Sequence, residues 1–201
     1  MKSFVGNRYW TADFHISMTE IISYENRPYK NIHDMDNYIM SICNALDKHD
    51  TIIHVGDLYC YTQKKKPVEF IDELTPNFIN IRGNHDLNNK VKSTCESMHC
   101  GINKRYPYAS VSHYPTYDAK ISRDCLTAPI HICGHVHSKW KHCLDLDHHI
   151  LNINVGLDAW NYQLVSDDML IDYLNKLFKK QPNELYRCKK NEYGNLKFFL
   201  V

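Results

Sequence analysis

The sequence predicts an α/β fold in which helices layer onto β-sheet. Two observations carry this expectation: short β-rich runs alternate with stretches of three-to-four-residue apolar period, and each β-rich run stops where polar residues begin. A third observation bounds the size. At 201 residues and 43% hydrophobic, the chain can bury one sizeable core and does not demand a second, so residues 1–201 are expected to form a single domain.

The first expected strand is "RYWTA" (8–12). A helix follows, because Met35, Tyr38, Ile39, Ile42 and Leu46 recur at three- and four-residue steps after Asp34, a candidate N-cap, and carry the pattern to about Lys48. Next come the strand "TIIHV" (51–55), a short helical pattern in "PVEFIDEL", the strand "FINIR" (78–82) and a further helical pattern in "NKVKSTCESM". "YASVS" (108–112), "IHIC" (130–133) and "LNINV" (151–155) supply three more strands. In "SDDMLIDYLNKLF", Ser166 can cap a helix whose Leu170, Tyr173, Leu174 and Leu177 face inward. The pattern weakens after Pro182, and "YGN" before "LKFFLV" predicts a final hairpin or edge strand. The run of Lys64, Lys65 and Lys66 beside Pro67 reads as a solvated loop, with a phosphate contact as its alternative.

Composition excludes several function classes. With 24 basic and 23 acidic residues the formal charge is +1, so no global field marks a nucleic-acid or membrane binder, and an anionic substrate must be held locally. No apolar run approaches the roughly 20 residues of a membrane span and "MKSFVGNRYWTAD" has no signal-like apolar core, so a soluble, cytoplasmic protein is expected. The eight cysteines are scattered without a close pair, which favours mostly reduced thiols. Histidine is the unusual residue, present thirteen times and often beside Gly, Asp or Asn.

Polar groups collect at five strand ends. They are Asp13 and His15 in "ADFH", Asp57 in "VGDL", Asn84, His85 and Asp86 in "GNHD", His113 in "SHYP", and His135 and His137 in "GHVH". Any one of these has a plain alternative: a polar turn, a hydrogen-bonded surface imidazole, or two histidines on one strand face. Together they are harder to dismiss, because the carboxyl ends of strands line one rim of an α/β sheet, where residues distant in sequence converge. Two carboxylates, four imidazoles and one amide oxygen suit borderline divalent metals better than calcium, which prefers oxygen donors. That is more than one metal uses. Two metals sharing Asp57 would each receive four protein ligands, an inventory that favours phosphoester hydrolysis.

In this order, the blocks DxH, GD, GNHD, a lone His and GHxH resemble the calcineurin-like metallophosphoesterase superfamily, over residues 13–137. "RPY" at 27–29 and "NINVGLDAWNYQLVS" at 152–166 further resemble its small bacterial and phage members. The resemblance implies a four-layer αββα sandwich of two mixed sheets with a dimetal site on one rim. It implies that Asp13, His15, Asp57 and His137 hold one metal, that Asp57, Asn84, His113 and His135 hold the other, and that Asp57 bridges. His85 would donate a proton to the leaving oxygen or steady the phosphoryl group, with Asp86 orienting its ring. Manganese is the first expected metal, and the same donors accept iron, zinc or nickel. The subgroup often reads DxHxxH, whereas Met18 stands here at the second histidine and cannot make the same contact.

Substrate contacts are less defined. Arg27 is a candidate phosphate contact or a surface arginine near Pro28, and Arg82 either serves the site or finishes a strand. Trp160 and Tyr162 stack on a nucleobase or belong to the core. Gly56 and Gly83 allow close backbone approach or form turns. The expected activity is hydrolysis of a small phosphoester or nucleotide, as phosphatase or phosphodiesterase. A non-catalytic scaffold and a nuclease are the alternatives; a nuclease would need an extended basic groove or a second domain, and neither is visible.

Overall fold

Alternation of side chains along the strands builds two cores from one set of segments. The structure, a computed structural model, describes residues 6–59, 67–86, 95–179, 186–190 and 196–200. Strands β1 (Arg8–Thr11), β2 (Thr51–His54) and β3 (Asn77–Asn80) run parallel, and β9 (Val165–Ser166) pairs antiparallel with β1, in the order β3-β2-β1-β9. One face of this sheet points Trp10, Ile53 and Ile79 at the second sheet, while the other points Tyr9, Ile52 and Phe78 at helices.

The second sheet holds β4 (Ser97–Cys100), β5 (Ala109–Ser112), β6 (Ile130–Cys133), β7 (His142–Asp145), β8 (Ile150–Asn154), β10 (Tyr186–Lys190) and β11 (Leu196–Leu200). Their order is β11-β10-β7-β8-β6-β5-β4, with parallel and antiparallel neighbours mixed. Val111, Ile132 and Ile153 close the core between the sheets, and α4 (Asp167–Lys179) adds Leu170, Leu174 and Leu177 to it. Ser166 Oγ accepts the Met169 N–H at 3.2 Å, the expected cap.

Outside the first sheet, α1 (Glu20–Tyr24), α2 (Ile32–Asn44) and α3 (Pro67–Asp72) form a helical layer. Met35, Ile39 and Cys43, four residues apart along α2, pack with Phe14, Ile52 and Phe70. The cap is Asn31 rather than Asp34: its extended backbone lets Oδ1 accept the Asp34 N–H at 3.0 Å, and the helix stops at Asn44, short of Lys48. The outer face of the second sheet is mixed: Cys133 and Cys143 pack there with Tyr117, Val136 and Trp140, beside buried polar residues. Ser110, His131 and Asn152 are fully buried there, and a 3₁₀ turn at Arg123–Thr127 covers it, with Ser110 Oγ donating to the Cys125 carbonyl at 2.7 Å. The layered α/β class with two mixed sheets and flanking helices therefore holds, with a thin fourth layer.

The described part of "NKVKSTCESM" is extended, not helical: Cys95 bridges Ile81 and β4 begins at Ser97. Lys64, Lys65 and Lys66 lie outside the described residues. Cys43, Cys95, Cys100, Cys125 and Cys133 are free thiols, whereas Cys143 is disulfide-bonded. Among the described residues no helix is long and apolar enough to cross a membrane.

Candidate metal centre

The singled-out residues leave the two sheets at one rim, where β1, β2, β3, β5 and β6 end. Asp13, His15 and His137 each bring a ligand atom within 4.8 Å of the others, and Asp57, His113 and His135 do the same. Asn84 joins the second group, its Oδ1 lying 3.1 Å from His113 Nε2. A third group of His15, Asp57 and His85 connects the two. Asp57 stands at the centre: Oδ2 lies 3.8 Å from His15 Nε2, 3.2 Å from His113 Nε2 and 4.0 Å from His85 Nε2. Its Oδ1 accepts the His85 backbone N–H at 2.8 Å.

The backbone bends sharply to deliver these side chains. Asp13, His15, Asp57, His135 and His137 all have φ between 49° and 71°. That left-handed region costs a non-glycine residue on the order of 1–3 kcal/mol, and its occupants cluster at functional sites. Neighbouring glycines leave room for the bends. A Cβ on Gly83 would collide with Asp57 N and Oδ1, and one on Gly56, at φ 91°, would lie 2.5 Å from His113 Nδ1.

Do these residues fit a metal? His113 Nδ1–H donates to the Val55 carbonyl at 2.8 Å, which leaves the Nε2 lone pair facing Asn84 Oδ1 and Asp57 Oδ2. His137 Nδ1 is held by Asp158 Oδ2 at 3.1 Å, which leaves Nε2 for the centre. His15 is 1% exposed, yet neither ring nitrogen has a hydrogen-bond partner among the described residues. A buried imidazole without partners is costly as an ordinary core residue and suits a cation. The donor set, mixed nitrogen and oxygen, matches borderline divalent ions.

Electrostatics agree with that fit. Burial works against charge on both Asp57 and His113, but their mutual attraction and hydrogen bond hold the Asp57 carboxyl well below the usual range and raise the imidazole to about 9. Burial pushes the Asp13 carboxyl up to about 6 and drives His15 well below its ordinary value. The carboxylates thus call for positive charge beside them, which a proton on His113 or a divalent cation can supply.

Two expectations require correction. Arg27 is 3% exposed and all five of its N–H groups point inward. It donates to both Asp158 oxygens at 2.8 and 2.9 Å, to the Asp13 carbonyl at 2.6 Å, and to Phe14 O and Met35 Sδ. None remains for a phosphate. Asp86 does not orient the His85 ring: its oxygens accept backbone N–H groups of Gly83, Asp57, Leu58 and Tyr59, which fixes the turn carrying His85. Trp160 is 7% exposed, donates Nε1–H to Asn154 O and packs on Tyr173, so it belongs to the core. Tyr162 packs edge-on to Tyr29. Met18 lies against the helical layer's core, and Arg82 pairs with Glu96 at 2.7 Å.

The residue that sequence reasoning missed is Asp158, which joins Arg27 to His137. A signal was present: "VGLD" after β8 repeats the pattern of "VGD" after β2. Asn154 was also missed. Its amide donates to the His137 and Trp140 carbonyls at 2.8 and 2.7 Å and shapes the loop bearing His137.

The chain is 28% identical over 175 residues to an uncharacterized protein of Methanocaldococcus jannaschii, spanning 84% of this chain and 91% of the relative. Its fold is similar to the crystal structure of a protein of unknown function from Aquifex aeolicus, with a TM-score of 0.61 and 22% identity, covering 84% of this chain and 99% of that one. The sequence pattern of the "Calcineurin-like phosphoesterase superfamily domain" matches residues 31–162, a span that holds Asp57, Asn84, His85, Asp86, His113, His135 and His137. By this match, the chain belongs to the calcineurin-like phosphoesterase superfamily.

Proposed function

We propose that the protein is a dimetal hydrolase of small phosphoesters or nucleotides. In this reading Asp13, His15, Asp57 and His137 hold one divalent cation, Asp57, Asn84, His113 and His135 hold the other, and manganese is the preferred ion. The observation that carries it is the position of Asp57, whose single oxygen Oδ2 faces both His15 Nε2 and His113 Nε2 at 3.8 and 3.2 Å. Bound together, two such cations supply a hydroxide nucleophile at neutral pH and neutralise charge on the phosphoryl group.

The remaining roles belong to the chain. His113 and His137 are held by Val55 O and Asp158, so each offers Nε2 in a fixed direction. The His85 side chain is 30% exposed beside Asp57, outside the two groups of four, where it can hand a proton to the leaving oxygen. Asp86 holds that turn in place through backbone N–H groups. The near-neutral chain favours local recognition of one or two phosphates over a long polyanion.

Elemental analysis after reconstitution with manganese, together with hydrolysis of 4-nitrophenyl phosphate and its bis-nitrophenyl diester, tests the proposal. Two metals per chain and turnover of at least one substrate are expected, and Asp57→Asn should lower occupancy of both sites. One metal or fewer, unchanged in the variant, would refute the dimetal reading.

A further inference from the structure

Beside the candidate metal centre lies a cleft of about 210 Å³ whose wall includes Gly83 and His113. Arg82, Tyr114 and Lys120 are among its other lining residues, as is the Glu96 carboxylate. Tyr114 is the shared wall: its ring packs edge-on against His113 and His135, at centroid distances of 5.4 and 4.9 Å. Lys120 Nζ lies 5.3 Å from the centroid of the same ring. The organic part of a phosphoester held beside His113 would meet a space bordered by this tyrosine, two cations and the Glu96 carboxylate.

The charges there are available. Arg82 is bound to Glu96, but the two side chains are 42% and 77% exposed, and such a solvent-screened pair is readily exchanged for a competing anion. Among the described residues Lys120 has no carboxylate within ion-pair distance; nearby Asp118 points at His135 Nε2, 3.9 Å away. Its nearest partner is an aromatic face, which attracts a cation without neutralising it. The volume suits a small substituent rather than a polymer strand.

We propose that this cleft selects phosphoesters whose organic part carries a second negative charge, a carboxylate or a further phosphate, held between Lys120 and Arg82. The inference rests on the phosphoesterase reading above and names the substrate class that the same site prefers.

The test is calorimetric binding of three non-hydrolysable probes to the manganese-loaded protein: propylphosphonate, 3-phosphonopropionate and 1,2-ethanebisphosphonate. One partly exposed ion pair should make the carboxylate probe bind about twofold to fivefold more tightly than propylphosphonate. The bisphosphonate arm shows which of the two anions the cleft prefers. Lys120→Met, a change at an exposed position, should bring the carboxylate probe close to parity while leaving propylphosphonate binding unchanged. Equal binding of propylphosphonate and 3-phosphonopropionate by the unmodified protein would overturn the cleft's role and leave the phosphoesterase reading standing. So would a preference that survives Lys120→Met. Failure of all three probes to bind would overturn both.

Discussion

Replacing Arg27 by methionine should damage the proposed metal centre without substituting any candidate ligand. The guanidinium side chain is 0% exposed and its partner Asp158 is 1% exposed. Arg27 donates to the main-chain carbonyls of Asp13 and Phe14 on one loop, and to the carboxylate that holds His137 on another. Methionine fills similar space but leaves Asp158 buried with only His137 to compensate its charge. Breaking a buried ion pair on one side costs about 3–5 kcal/mol, and losing the group that orients a metal-bound histidine weakens metal affinity about 10- to 100-fold. Arg27→Lys should recover only part, since an ammonium cannot span two carbonyls and both carboxylate oxygens. Urea unfolding measures the first effect, and manganese titration of the refolded protein measures the second. The double variant Arg27→Met with Asp158→Asn is the sharper probe. Removing the stranded charge should restore stability relative to Arg27→Met alone, although His137 remains poorly held. A loss under about 1 kcal/mol in Arg27→Met, or simple additivity in the double variant, would refute a buried tie between the loops.

Other outcomes follow from the same geometry. His85→Ala should keep both metals and lower turnover of an alkyl phosphoester roughly 10²- to 10⁴-fold, as measured by steady-state rates beside elemental analysis; loss of metal would make His85 a ligand instead. Gly83→Ala drives a Cβ into Asp57 N and Oδ1, so metal stoichiometry should fall even if circular dichroism shows a folded protein, and full occupancy would contradict the tight approach. His131 predicts a pH dependence unrelated to catalysis. Burial pushes this fully buried imidazole down to about 4, below the roughly 6.5 of an unfolded chain, so its contribution is complete above pH 6.5 and is lost as pH falls toward 4. That gap is worth about 3 kcal/mol, and His131→Gln should flatten the stability profile across this window; parallel profiles for the two proteins would rule it out.

What was legible in the sequence divides along a physical line. Strands such as "TIIHV" and "IHIC" announce themselves by β-branched residues and by the polar groups that end them, so six strands and the candidate ligands could be located from one-dimensional pattern. β4 ("SMHC") and β7 ("HCLD") contain no β-branched residue; β4 is strand because it pairs with β5, and β7 because it pairs with β8 and β10. At five residues, α1 is too short to show a helical period.

Arg27 shows the same limit within the site. An arginine in a first loop, in a protein expected to handle phosphate, reads naturally as a phosphate contact, because sequence shows a residue's charge and not which way it faces. Its direction is set by Asp158, 131 residues later, and that carboxylate is fixed in turn by β8 and the 3₁₀ turn Leu157–Trp160 that follows it. Only the closure of the two sheets, through the bridge between Ala12 and Gly156, brings the two loops together. The pattern of candidate ligands is local to each strand end and survives in the sequence. The supports that hold those ligands at a common point are made by long-range contacts, so they become visible only once the sheets are packed.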